Sequence, residues 1–271
     1  MKTYILGNIR RALVAVCLMG ISAASLAAVS ISDFYYNRDG GFYEIRTKAD
    51  LRNLATLVNT GNCCAGLTFR QVADIAFDTI SANNFKAIGN AVNAFAGTFD
   101  GDGHTISGIN IKKSGSGFTD SFQGLFGRNR GTVKNVTLAA SRISGHCHVG
   151  GIVGQNNMGG TINNCTVMAD VSILASTSKS LYHGGIVGYN RGSVRKCTSS
   201  ANMSDNGQQS HCYVGGVAGY NCYYVCECTS SSSLSGEYFV EGLVGQNDGG
   251  ACTGCHYYGS GATIRRYVLR G

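Results

Sequence analysis

One six-residue pattern, Gly-x-x-Gly-x-Asn, occurs five times in the second half of this 271-residue chain, and it constrains the fold more than any other feature. The copies start at Gly124, Gly151, Gly185, Gly216 and Gly242, with spacings of 27, 34, 31 and 26 residues. Repeats of that length are single supersecondary units that bury their apolar face only by stacking on neighbours. A solenoid is therefore expected.

Each anchor leads into a second short segment: "GTVKNVT", "GTINNCT", "GSVRKCT", "YYVCECT" and "GACTGCH". Stacking them aligns Val133, Ile162, Val194, Val225 and Cys252 in one column, and Val136, Cys165, Cys197, Cys228 and Cys255 in another. Period-two alternation on a strand would turn both columns inward. The cysteines are thus expected first as core residues, small and apolar. The anchor glycines are expected at corners that need positive φ. Asn129, Asn156, Asn190, Asn221 and Asn247 form the expected structural ladder, each amide bonding turn backbone and its counterpart one coil away.

These anchors and their following segments resemble the GLUG repeat, a family of bacterial secreted and surface proteins that includes large adhesins. The resemblance covers about residues 122 to 260. It implies a β-solenoid and a surface binding or adhesive role, and it carries no catalytic residues to transfer. The fold class expected is all-β, a right-handed parallel β-helix with one N-terminal capping helix.

That helix is read from "YEIRTKADLRNLATLVNTGN", where Thr47 and Asp50 make a capping box. Leu51, Leu54, Ala55, Leu57 and Val58 follow at helical spacing, and Gly61 stops the run. Such a helix would cover strand edges at one end of the stack. "FAGTFDGDGHTISGINI" reads as strand, Asp-Gly turn, strand, a hairpin. The organisation expected is a signal peptide over 1–27, a cap with the first coils over 28–120, five repeats over 121–260, and a short basic tail over 261–271.

The leader rests on Lys2, Arg10 and Arg11, an apolar Ala12 to Ile21 stretch and a Ser25-Leu26-Ala27 cleavage signal. Export to the cell surface, the extracellular space or the periplasm follows. Cleavage removes three basic residues and no acidic ones, lowering the formal charge from +7 to +4. The basic residues are scattered through turns, so nucleic acid is not expected as a partner. No later segment is long and apolar enough to span a bilayer. Eleven of the twelve cysteines remain, and Cys63, Cys64, Cys212 and Cys222 are the disulfide candidates outside the column.

Other chemistry is weighed against this architecture. The glycine runs lack the Gly-Lys-Ser/Thr of a phosphate loop. Cys226, Cys228, Cys252 and Cys255 could supply four thiolates to zinc, but two of them belong to the core column, so no metal is expected. Asp100-Gly-Asp102-Gly lacks calcium-loop spacing and reads as the hairpin turn. No cofactor is expected. Glu237 and Glu241 are the closest carboxylate pair in the repeats, which is thin support for glycan cleavage, and no catalytic residue is assigned.

Aligning the strands ahead of the anchors gives a column of His148, Tyr182, Tyr213 and Phe239. If outward-facing, these form an aromatic stripe on which sugar rings or peptide chains stack. The function expected is non-catalytic binding toward glycans or a surface protein partner. A polysaccharide-active enzyme and a purely structural stalk are the alternatives. A C-terminal end without a cap would add self-association.

Overall fold

The computed structural model describes residues 28–78, 83–175, 182–204, 212–236, 239–259 and 263–264. The leader and most of the basic tail lie outside them. Among the described residues the chain is a parallel β-solenoid with one α-helix. A full coil, such as the one starting at Val153–Asn156, continues through Thr161–Asn163, Thr166–Val167, Ser172–Ala175 and Tyr182–Gly184. Each segment belongs to a different sheet. The five sheets hold five, nine, seven, six and four strands in that order, and are called sheets 1 to 5 here. Apart from the antiparallel pair at the start of sheet 2, every rung is parallel and in register.

Register places the ladder asparagines side by side. Asn156 pairs with Asn129 and Asn190, and Asn221 with Asn190 and Asn247. Each Nδ2 donates to the next Oδ1, at 2.9 Å from Asn129, 3.0 Å from Asn156, and 2.8 Å from both Asn190 and Asn221. The remaining amide capacity goes to turn backbone, as when Asn190 Nδ2 donates to the Tyr224 carbonyl and Asn190 Oδ1 accepts from Gly192 N–H. The first four asparagines are fully buried.

The two apolar columns also stack inward, with Val133, Ile162, Val194 and Val225 in register and fully buried. Simple alternation does not explain how residues three apart both face inward. A left-handed residue between them resets the phase: Asn135, Asn164, Lys196 and Glu227 have φ of +52 to +55°, and Gly254 takes +61° in the last coil. Asparagine suits this conformation. The column positions therefore sit on two strands meeting at a corner, not on one.

The anchor glycines correct the sequence expectation. None of them has positive φ. They are small because the backbone of another strand passes where a side chain would stand. A Cβ on Gly188 would come within 2.5 Å of Val149 N and 2.7 Å of Gly154 O. One on Gly185 would lie 2.2 Å from Gly216 O. Gly188→Ala is expected to lower unfolding stability by about 1–3 kcal/mol through this overpacking, whereas Gly117→Ala, whose Cβ meets nothing closer than 3.7 Å, should leave it unchanged. Equal denaturation midpoints for the two variants would contradict this account.

At the N-terminal end the capping box forms, with Thr47 Oγ1 accepting from Asp50 N–H and the Asp50 carboxylate accepting from Thr47 N–H. The helix runs Lys48–Asn59 and buries Leu51, Leu54, Ala55, Leu57 and Val58. Full burial of each large side chain contributes roughly 1.5–3 kcal/mol. Beside the helix, residues 88–95 cover the edge of sheet 1, where Ile88 bridges Phe126 and Phe95 bridges Asn129. The interior is aromatic here and becomes aliphatic in the repeats: Phe69, Phe95, Phe99 and Phe126 contact one another at 5.2–6.4 Å.

The Asp-Gly hairpin is not formed. Thr98–Asp100 lies in sheet 2 and Thr105–Ser107 in sheet 3, and each pairs in parallel with the next coil. Phe99 and Ile106 both point into the core, which a two-stranded hairpin could not bury together. Asp100 and Asp102 hold the corner instead: Asp100 accepts from Asn135 Nδ2 and pairs with Lys134, and Asp102 pairs with Arg70.

Candidate functional site

Sheet 5 delivers its residues to sheet 1 across only two or three positions, because the paired glycines let the two backbones touch. Tyr182 is in register with Tyr213. Pairing of Val149 with His183 and of Val214 with Val240 sets His148 beside Tyr182 and Phe239 beside Tyr213. All four are half-buried. Their rings follow one another at 5.2, 5.8 and 4.7 Å.

A second column in sheet 1 meets the first. It runs Arg128, Gln155, Tyr189, Tyr220 and Gln246, one residue before each ladder asparagine. Tyr189 stacks on Tyr220 at 5.4 Å, and Tyr182 contacts Tyr189 at 5.3 Å and Tyr220 at 4.8 Å. Phe122 continues the ring series as a buried side chain, lying parallel to His148 at 4.8 Å. Tyr189, Tyr220 and Phe122 were not picked from the sequence. The two tyrosines stand inside the "GYN" of two anchors, between the close-packed glycine and the ladder asparagine.

The rings between the two ends of the surface carry no charge at neutral pH. Burial holds the His148 imidazole down to about 4, helped by the charge of Arg128 and by His146. Burial also raises the Tyr182 hydroxyl, and the Tyr189 hydroxyl to about 12, where Cys222 donates to it. Tyr220 is raised chiefly by its 2.8 Å hydrogen bond to Asp248. One cation, Arg128, sits over the Phe122 ring at one end, and Asp248 lies at the other. Phe122, His148 and Phe239 take left-handed φ of 60, 56 and 46°, a costly conformation for bulky side chains. Such an arrangement can stack flat ligand faces and offer phenol hydroxyls to polar edges.

The other sequence candidates disperse. Cys226 faces outward in register with Arg195 and Thr253, while Cys228 is in the core, so the four-thiolate site is not assembled. Among the described residues no group of His, Cys, Asp and Glu is arranged to hold a metal. Cys63, Cys64 and Cys222 are unbridged thiols and Cys212 is buried in the core, so the expected disulfide set is absent among the described residues. Glu237 lies outside them, and Glu241 is exposed on the last strand of sheet 5. No described helix is long and apolar enough to cross a membrane.

No family model matches the chain. It is 36% identical over 141 residues, 48% of its length, to halomucin of Haloquadratum walsbyi, and the match spans 1% of that protein. Among solved structures it is similar to a candidate immunoglobulin A1 protease from Bacteroides ovatus, with a TM-score of 0.48 and 19% identity, over 86% of this chain and 80% of that one. The fold assignment rests on the strand registers described above.

Proposed function

We propose that this chain is an exported, surface-located solenoid of the GLUG type that binds glycans, without catalysis, through the aromatic surface between sheets 5 and 1. The observation that carries the reading is the meeting of two ring columns, His148–Tyr182–Tyr213–Phe239 and Tyr189–Tyr220. Rings used only for cross-strand packing would need one column. Here the second column, the half-exposed phenols and the left-handed backbone at His148 and Phe239 favour a surface kept for a ligand. The partial similarity to halomucin supports a place outside the cell.

The test is a glycan array run beside a matrix-protein array, with the native chain and a Tyr182→Ser/Tyr213→Ser/Phe239→Ser variant. Glycan binding that falls at least tenfold in a variant with native circular dichroism is the expected result. Loss of only protein binding would replace glycans by a protein partner, and unchanged binding would move the site elsewhere on the solenoid.

A further inference from the structure

The interior pairs flanking the left-handed corner are apolar or mixed in four coils: Val133 with Val136, Ile162 with Cys165, Val194 with Cys197, and Val225 with Cys228. In the fifth coil both positions are cysteine, Cys252 and Cys255, and this is the rung that solvent reaches. Cys252 is exposed in register with the fully buried Val225, and Cys255 is half-buried above the fully buried Cys228.

Their corner is also unlike the others, because Gly254 stands where Asn, Lys or Glu stands below, at φ +61° and without a side chain. Cys252 lies on the strand Ala251–Thr253 and Cys255 immediately precedes the strand His256–Tyr257, so the two thiols flank the glycine corner. Cys255 Sγ accepts from Cys228 N–H at 3.4 Å and, as a thiol, donates to the Thr253 carbonyl at 3.4 Å. Interaction with Cys228 and Cys252 holds Cys255 below the usual thiol range, and interaction with Cys255 raises Cys252. The Cys228 N–H favours the thiolate form of Cys255 for attack, and a second, accessible sulfur lies across the glycine corner.

We propose that Cys252 and Cys255 form a reversible dithiol–disulfide site that exchanges with small or peptide disulfides and thiols. Cys255 thiolate attacks one sulfur of R–S–S–R, forming a Cys255–S–S–R bond and releasing R–S⁻, which takes up the proton Cys255 had given to solvent. Cys252, after losing its own proton to solvent, attacks Cys255 Sγ. The Cys252–Cys255 bond forms, and the second R–S⁻ leaves and is protonated. Two thiols are oxidised to one disulfide while one disulfide is reduced to two thiols. In-register parallel neighbours present their Cβ atoms side by side rather than toward each other, so Cys228 serves through its backbone N–H and does not compete for the bond.

The experiment treats the full chain with glutathione disulfide at neutral pH and maps cysteines by peptide mass spectrometry, with thermal melting to verify each variant's fold. The native chain should gain the Cys252–Cys255 bond and lose it again with reduced glutathione. Cys252→Ser should stop at a glutathione adduct on Cys255, and Cys255→Ser should slow modification of Cys252 at least tenfold. A Cys228–Cys255 bond in the native chain, or wild-type reaction rates in folded Cys255→Ser, would overturn the proposal.

Discussion

Asn190→Ala should lower unfolding stability by about 3–4 kcal/mol, the largest loss expected from any single ladder position. The side chain sits in the middle of the ladder with no exposure, receiving Asn156 Nδ2 and Gly192 N–H and donating to Asn221 Oδ1 and the Tyr224 carbonyl. Truncation leaves the Gly192 N–H unpaired, removes the side-chain bond to the Tyr224 carbonyl and opens a gap in the ladder. Each buried orphan costs about 1–3 kcal/mol. Asn156 Nδ2 and Asn221 Oδ1 keep other partners, so they add less. Asn247→Ala is the control, because that asparagine is exposed at the last rung, and its loss should cost under about 1 kcal/mol. Urea unfolding of both variants decides the matter; similar losses at the two positions would mean that the ladder is not what holds the coils together.

The second large effect is acid sensitivity. His183 is buried in a column with Val149 and Val214 and neither ring nitrogen has a hydrogen-bond partner. Burial pushes it down to about 3, and His148 to about 4, from an ordinary 6.5. The folded chain therefore stays neutral at these sites where the unfolded chain takes up protons. Their contribution to stability is intact above pH 6.5 and is lost progressively as pH falls from 6.5 toward the folded values. At pH 4.5, two units below the unfolded value, each removes about 2.7 kcal/mol, or about 5 kcal/mol together. His183→Leu, similar in volume and without orphaned nitrogens, should stabilise the chain by about 1–2 kcal/mol at pH 7 and roughly halve the loss on acidification. Stability that is flat between pH 7 and 4.5, or a destabilised His183→Leu at neutral pH, would show that the imidazole is satisfied by something polar.

The solenoid was legible in the sequence because its signal repeats. Five registered copies align Asn129 to Asn247 and Val133 to Cys252 in columns, and the helix at Lys48–Asn59 is marked by its capping box and apolar spacing. What stayed hidden was geometry set by neighbouring coils. Gly188 looks like a turn glycine, and only the passage of Val149 and Gly154 explains it. Thr98 to Ser107 looks like a hairpin because its better partners lie about thirty residues away in the next coil. Tyr189 and Tyr220 were in plain view, but contact with Tyr182 depends on two sheets crossing at glycine, which no local pattern encodes.

The asparagine ladder has a direction. Every amide donates toward the C-terminal rung and accepts from the N-terminal one, and the chain of bonds ends at Asn247, whose Nδ2 turns to the Gly250 carbonyl. A duplicated coil can enter anywhere in this series with its donor and acceptor already matched, while a fraction of a coil cannot. Genes of this kind can thus lengthen or shorten by whole coils through recombination at little energetic cost. The unequal spacings between anchors fall mainly in the connections from sheet 4 to sheet 5, with smaller differences after the ladder asparagines and between sheets 3 and 4, outside the registered columns, where such copying errors are harmless.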